Sequence, residues 1–347
     1  MSLAEQQESP RNEKLIEVED LQLYFPIGKK GLFGGSEMFV KAVDSVSFDI
    51  NRGETLGLVG ESGSGKTTVG RALLRAYRPT GGEATFHTGD GPVNLITLEG
   101  KNLQKFRRHM QMIFQDPYAS LNPRMTVRDI IAEPLEANNI EGLSKEQIDE
   151  RVRETAALCK LNLEHLRRFP HAFSGGQRQR ICIARALVGR PEFVVCDESV
   201  AALDVSIQAE IINLLQDLQK ELNITFLFIA HDLSVVAHIS DRVAVMYVGK
   251  IVEIGPTEEI FYRPRHPYTR ALLSAVPRPD PDAEFEPERL TGEIPNPANL
   301  PQGCRFNTRC PMVTERCRME EPDLRSFGEG HNVACHYAEQ IVERFKA

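Results

Sequence analysis

The sequence predicts an α/β fold, with a parallel sheet flanked by helices and a ligand site at the carboxyl edge of the strands. Three observations carry this. Continuous apolar runs, Phe193-Val194-Val195-Cys196 and residues 224–230, read as buried central strands. Stretches with helical spacing, 178–188 and 207–222, follow or separate them. Each run also ends in polar residues, Asp197-Glu198 in one case and His231-Asp232 in the other.

In chain order, residues 1–14 are polar and read as a loose tail. Ile16-Glu17-Val18 with Leu21 and Leu23 forms a first strand, and the glycine- and lysine-bearing stretch 28–35 is a loop. Val46, Phe48 and Ile50 alternate with Ser45, Ser47 and Asp49, the pattern of a half-buried strand. Asn51-Arg52-Gly53-Glu54 turns the chain into the buried strand Thr55-Leu56-Gly57-Leu58-Val59. Turn residues and short apolar pairs over 81–98 predict a small antiparallel β subdomain. Met110-Gln111-Met112-Ile113-Phe114 is another strand, ending at Gln115-Asp116-Pro117. Between 127 and 168 the spacing is helical and the faces charge-rich, which predicts a helical insertion spanning about 117–175. Residues 243–246 and 250–253 read as a closing hairpin around Gly249. The main domain therefore spans 15–255. Beyond Pro256, residues 258–262 and 268–276 suggest two short helices. A proline-rich linker over 277–301 and a cysteine-rich extension to residue 347 complete the chain.

The chain has 347 residues, 41% hydrophobic and 26% charged, which fits one large globular domain or two smaller ones. A net charge of −8 argues against a general nucleic-acid binder. No apolar run reaches the length of about 18 residues that a spanning helix needs. The polar N-terminus lacks the apolar centre of an export signal, so secretion is not expected. The seven cysteines are then expected in a reducing compartment.

The chemistry concentrates at Gly60-Glu61-Ser62-Gly63-Ser64-Gly65-Lys66-Thr67-Thr68, between a strand and a helix. This is the context in which G-x-x-x-x-G-K-[ST] cradles phosphate. Glycines let successive N–H groups point into one concavity, and the helix adds the positive end of its dipole. Lys66 reaches β- and γ-phosphates, and the Thr67 hydroxyl suits Mg²⁺. Asp197, at a strand end, is placed to hold Mg²⁺ through water. Glu198 next to it would polarise an attacking water. His231, alone after a strand, reads first as a capping residue, and only a family resemblance implies that it bonds the γ-phosphate and that water. Gln115 would bridge metal and water where the helical insertion begins. Ser174-Gly175-Gly176-Gln177 is a second glycine pair at a helix start, both an anion nest and a helix cap.

In this order and spacing, the phosphate loop, Gln115, Phe173-Ser174-Gly175-Gly176-Gln177, Asp197-Glu198, Leu203-Asp204 and His231 resemble the ATP-binding subunits of ABC transporters. The likeness covers roughly residues 15–255. It implies a P-loop NTPase core of the ABC ATPase type and a head-to-tail dimer burying two ATP molecules. Each signature turn at Ser174 would then face the γ-phosphate held by the mate. It also implies that Phe25, or its neighbour Tyr24, stacks on adenine, and that Asp204 is a nucleotide-binding residue that, with Glu198, sustains hydrolysis. Ser199 and Ala201 stand where the family has proline and serine, and Ala201 lacks a hydroxyl that would cross that interface. More narrowly, 116–124, His266-Pro267-Tyr268-Thr269 and the cysteine tail resemble the oligopeptide/dipeptide importer group. Ser120-Leu121-Asn122-Pro123 and Ser274-Ala275-Val276-Pro277 resemble the second of its two ATPase subunits. This implies two permease subunits, a related ATPase partner in a heterodimer, an external solute-binding protein and the cytoplasmic face of the membrane. Oligosaccharide or nickel-complex import by the same machine stays open. A soluble ABC ATPase without transport is the alternative class. A tandem cassette, a long coiled coil or a basic face would mark one, and the sequence has none.

Cys304, Cys310, Cys317 and Cys335 follow C-x5-C-x6-C-x17-C, without the paired C-x2-C knuckles of a common zinc site. Arg305, Arg309, Arg316 and Arg318 lie among them and would balance a net-negative iron–sulfur cluster. His331 and His336 are candidate outer partners. From the residues alone an iron–sulfur cluster, zinc or unligated thiols remain open, and the resemblance implies a 4Fe-4S cluster with a structural role. Such a tail has little core of its own, so metal would supply much of its folding energy.

Overall fold

The computed structural model describes residues 13–27, 38–137, 142–201, 203–276, 288 and 290–344. Most of the expected tail at 1–14, the loop at 28–35 and the start of the proline-rich stretch fall outside them.

Two sheets form the body. β1 (Lys14–Ile27), β2 (Met38–Asn51), β4 (Gly81–Thr88) and β5 (Gly91–Asn94) make an antiparallel sheet in the order β2-β1-β4-β5. The second sheet contains β3 (Thr55–Val59), β6 (Met110–Ile113), β7 (Phe193–Asp197), β8 (Thr225–Ile229), β9 (Arg242–Tyr247) and β10 (Lys250–Pro256). With the two-residue strands β11 (Arg325–Ser326) and β12 (Asn332–Val333), its order is β11-β12-β10-β9-β3-β8-β7-β6. The run from β9 to β6 is parallel. The sheet is mixed, and the hairpin expected around Gly249 is its antiparallel part. The tight turn at Gly249 returns β10 antiparallel to β9, because a crossover long enough for a parallel strand is missing.

Alternation along the parallel strands sorts side chains between two cores. Leu56, Leu58, Val195, Leu227 and Ile229 face the antiparallel sheet and the helix Lys66–Leu73, with Ile16, Val18, Phe48 and Ile50. Val194, Cys196, Phe226 and Phe228 face the opposite way, towards the helices Gly175–Leu187 and Val205–Leu222. The helical insertion is present as Val127–Ala137 and Lys145–Leu158. It seats Ile130, Ile131, Leu135 and Val152 in the second core. Ser144 starts its second helix with a reciprocal Ser–Gln cap. Among the described residues, no helix is long and apolar enough to cross a membrane.

The C-terminal region shares the main core instead of standing apart. β12 pairs with β10, and Phe306 packs among Tyr247, Tyr268 and His266. Phe306 is almost fully buried. A tail with few apolar residues has thus found its packing on the body of the protein. The charge placement differs from expectation too. Arg305 pairs with Asp44, Arg309 with Glu61 and Arg316 with Glu320, so these guanidinium groups are committed to carboxylates. His331 is buried against Glu253 at 2.8 Å, and only His336 of the two histidines lines the space between the cysteines.

Candidate functional site

Four neighbouring parallel strands deliver the site. β3 ends at the phosphate loop, β8 at His231, β7 at Asp197-Glu198 and β6 just before Gln115. Residues far apart in sequence therefore meet at one sheet edge. The phosphate loop wraps a cavity of about 180 Å³ lined by Ser62, Gly63, Gly65, Lys66, Thr67 and Thr68 together with Glu198. Gly60 and Gly65 hold φ of +149° and +107°. A Cβ on Gly60 would lie 2.1 Å from the Met246 carbonyl, and one on Gly65 would lie 2.2 Å from the Ala42 carbonyl. Gly65→Ala is therefore expected to deform the loop. It should abolish measurable nucleotide binding and lower stability by about 1–3 kcal/mol, read by nucleotide titration and thermal melting.

Lys66 is buried, and its ammonium donates to the carbonyls of Gly60 at 2.7 Å and Glu61 at 3.0 Å. Burial draws its pKa down, while the carboxylates of Glu198, Asp197 and Glu61 oppose that shift. The Thr67 hydroxyl donates to Asp197 at 2.7 Å. Burial raises the Asp197 pKa, against the Thr67 bond and Arg71 at 3.8 Å. The Gln115 amide donates to Glu198 at 2.8 Å, and His231 Nδ1 lies 3.7 Å from the same carboxylate. Glu198 has φ +48°, a left-handed conformation uncommon for a residue with a side chain, and its N–H donates to the Ile229 carbonyl at 2.9 Å. One acidic side chain is thus aimed by two flanking strands. Thr67, Asp197 and Gln115 offer hard oxygen atoms of the kind Mg²⁺ takes.

The remaining candidates lie elsewhere. Ser174 accepts from the Gln177 N–H and closes a reciprocal cap with the Gln177 side chain. Gly175 and Gly176 pack towards Leu203 and Ile207, and none of these signature residues lines the phosphate cavity of the same chain. Asp204 begins the helix Val205–Leu222 and is exposed. Phe25 meets Tyr77 edge-on at 5.5 Å, Tyr24 is bonded to Asp44, and neither borders the phosphate cavity. Cys304, Cys310, Cys317 and Cys335 line one small space with His266 and His336. Burial pushes the thiols of Cys304, Cys310 and Cys335 up to about 11. Among the described residues no three His, Cys, Asp or Glu side chains gather so as to hold a single metal ion.

Sequence reading missed two contacts with the loop. The Glu61 N–H donates to the Tyr268 hydroxyl at 2.8 Å, and Arg309 clasps the Glu61 carboxylate with bonds of 2.6 and 3.0 Å. Tyr268 sits in a recognisable His-Pro-Tyr-Thr run, but nothing in that run marks its target. Arg309 was legible only as a charge among cysteines.

Fold and site together define a P-loop ATPase. A family profile described as "ABC transporter" matches residues 43–201, and one described as "Oligopeptide/dipeptide transporter, C-terminal region" matches 252–317. The putative oligopeptide transport ATP-binding protein YkfD of Bacillus subtilis (strain 168) is 52% identical over 324 residues, covering 93% of this chain and 95% of that protein. The dipeptide transport ATP-binding protein DppF of Escherichia coli (strain K12) is 48% identical over 335 residues, covering 96% and 97%. In structure, the dimeric post-hydrolysis ATP-binding cassette MJ0796 bound to ADP and Pi superposes with a TM-score of 0.60 at 26% identity, over 70% of this chain and 98% of that one. The chain belongs to the ABC transporter family, among its ATP-binding proteins of the oligopeptide/dipeptide group.

Proposed function

We propose that this chain is the ATP-hydrolysing subunit of a peptide importer, one half of a closing ATPase pair at the cytoplasmic face of a membrane. The observation that carries the reading is the Glu198 carboxylate, bonded by Gln115 beside the phosphate loop with His231 3.7 Å away. The chain's own signature turn lies elsewhere and is available to a mate. Loop amides and Lys66 hold the β- and γ-phosphates. Glu198 accepts the proton of the attacking water, and His231 orients that water and the γ-phosphate. Mg²⁺, which Thr67, Asp197 and Gln115 would hold, supplies charge neutralisation on the phosphates when bound. The mate supplies its Ser174-type turn as a second anion nest, and Asp204 lies along the seam. Phe25 is the adenine neighbour in this reading.

The partners follow from the chemistry. Two permease subunits would carry the solute, fed by an external binding protein. A cleft of about 690 Å³ beside Gln115, lined by Met112, Phe114, Ala119, Glu133, Pro134 and Arg185, suits a short permease helix. Its position links nucleotide state at Gln115 to the partner. Relatives that are oligopeptide and dipeptide transport ATP-binding proteins favour oligopeptides or dipeptides as cargo, over oligosaccharides or other small solutes. A second, related ATPase is the favoured mate. Ala201 leaves the seam one hydroxyl short, so crosstalk between the two ATP sites is weaker than in a serine-bearing pair. The test is reconstitution with the permease and second ATPase in liposomes. Labelled dipeptide uptake that needs ATP and both ATPases is expected. Uptake by this chain alone with the permease would overturn the heterodimer, and transport only of sugars would overturn the cargo.

The C-terminal cysteines would hold a 4Fe-4S cluster. What supports the reading is that four thiols share one enclosed space, although among the described residues no group of His, Cys, Asp or Glu is gathered to hold a metal ion. Ligation needs the thiolates, so cluster binding would have to drive the proton off thiols that burial keeps protonated. The cluster's role is structural, tying the segments around Cys304, Cys310, Cys317 and Cys335 together. Anaerobic purification is expected to give about four irons and four sulfides per chain. One zinc and no sulfide would sink the assignment.

A further inference from the structure

Cys304 and Cys310 bracket a segment whose two arginines turn away from the cysteine space, Arg309 onto the phosphate loop and Arg305 onto Asp44 and the Val248 carbonyl beside it. Arg309 is buried and grips Glu61 in a bidentate pair, Nη1 to Oε2 at 2.6 Å and Nη2 to Oε1 at 3.0 Å. Tyr247 backs it, with its hydroxyl 3.4 Å from Nη1. Glu61 is the second residue of the phosphate loop, and its carbonyl accepts from the Lys66 ammonium at 3.0 Å. Its N–H is bonded to Tyr268, also from the C-terminal region. A continuous chain of contacts therefore runs from Cys310 through Arg309 and Glu61 to the lysine that meets phosphate. A parallel route runs from Cys304. Arg305 donates to the Val248 carbonyl at 2.5 Å, and the adjoining Gly249 N–H donates to the Ser64 carbonyl at 2.8 Å.

Two physical effects converge on Arg309. A bidentate Arg–carboxylate pair fixes geometry as well as adding attraction, and with Arg309 buried and Glu61 partly so it is screened less than a surface pair. Glu61 is also a negative charge at the rim of a site built for a triphosphate. Unpaired, it would repel the ligand and compete for Lys66.

We propose that Arg309 is a positioning residue for nucleotide binding: it clamps and neutralises Glu61, and it is itself held in place by the four-cysteine site, so that loss of that site loosens the phosphate loop. The cysteine arm rests on the cluster reading above; the Arg309–Glu61 arm stands without it.

The experiment measures nucleotide affinity with a fluorescent ATP analogue, and KM and kcat for ATP, on full-length chains assembled with their partners. Arg309→Ala is expected to raise Kd and KM roughly tenfold, within the range of about 5–150-fold usual for coupled sites, with kcat at saturation nearly unchanged. Arg309→Lys should recover part of the loss. Adding Glu61→Gln to Arg309→Ala should restore most of it, because the repelling charge is gone. A merely structural arginine would lower the melting temperature without any dependence on residue 61. Wild-type affinity in Arg309→Ala, or an equal loss with Glu or Gln at 61, overturns the clamp. If Arg309→Ala does not fold, Arg309→Lys with and without Glu61→Gln gives the same comparison. Cys310→Ser should reproduce the affinity loss and add nothing to Arg309→Ala; unchanged affinity after loss of iron overturns the link to the cysteines. Protein that never contains iron but obeys the 309–61 comparison removes the cluster reading and leaves the clamp.

Discussion

Replacing Glu198 with Gln is expected to cut ATP turnover by roughly 10²–10⁴-fold while ATP still binds, the usual worth of a positioned general base. Gln keeps the size of the side chain and can still pair with Gln115, so the local structure should survive. It cannot take the proton from water. The backbone at this position is already held at φ +48°, with its N–H bonded to Ile229, which aims the side chain at the phosphate cavity. Phosphate release at saturating ATP, compared with nucleotide titration, is the measurement. Turnover within a few-fold of the wild type would mean that another group activates the water. The same substitution should also accumulate the ATP-bound pair with its partner, visible as a larger species by size-exclusion chromatography.

Lys66→Ala has the opposite signature: binding fails first. The ammonium makes charge-assisted hydrogen bonds, each contributing about 1.5–3 kcal/mol. Losing two of them to phosphate oxygens weakens ATP binding by roughly 10²–10⁴-fold. The side chain is buried beneath the loop, and its present partners are the Gly60 and Glu61 carbonyls. Removing it therefore also frees two carbonyl groups at the heart of an anion site, which compounds the loss. Titration with ATP and with ADP is the check. An affinity within tenfold of the wild type would show that backbone amides alone dominate the site.

The parts of this molecule that could be read from sequence share one property: their physics is local. The glycine pattern around Gly60 and Gly65 follows from backbone sterics at those residues. The apolar runs at 193–196 and 224–230 follow from burial of their own side chains on both faces. Polar residues at the ends of such runs, Asp197-Glu198 and His231, then had one place to go, the carboxyl edge. What escaped the sequence is pairwise and long-range. Arg309 and Glu61 are 248 positions apart, and no property of either names the other. Asp44 and Arg305 are separated by 261 positions in the same way. Arg305 and Arg309, among the cysteines, had an obvious local use, compensating a cluster's charge, and tertiary packing gave them a different one. The antiparallel return of β10 was visible as a hairpin, but the arrival of β12 at its far side was not, since two residues carry no period.

That last pairing has a consequence for how the protein meets its neighbours. β10 would otherwise end the sheet with open backbone groups, inviting a second copy to dock strand against strand. β12 and β11, each two residues long, cap that margin with segments too brief to template further growth. Lateral fusion of sheets is thereby blunted on this flank. A piece of chain that performs no chemistry thus helps decide which encounters can become assemblies.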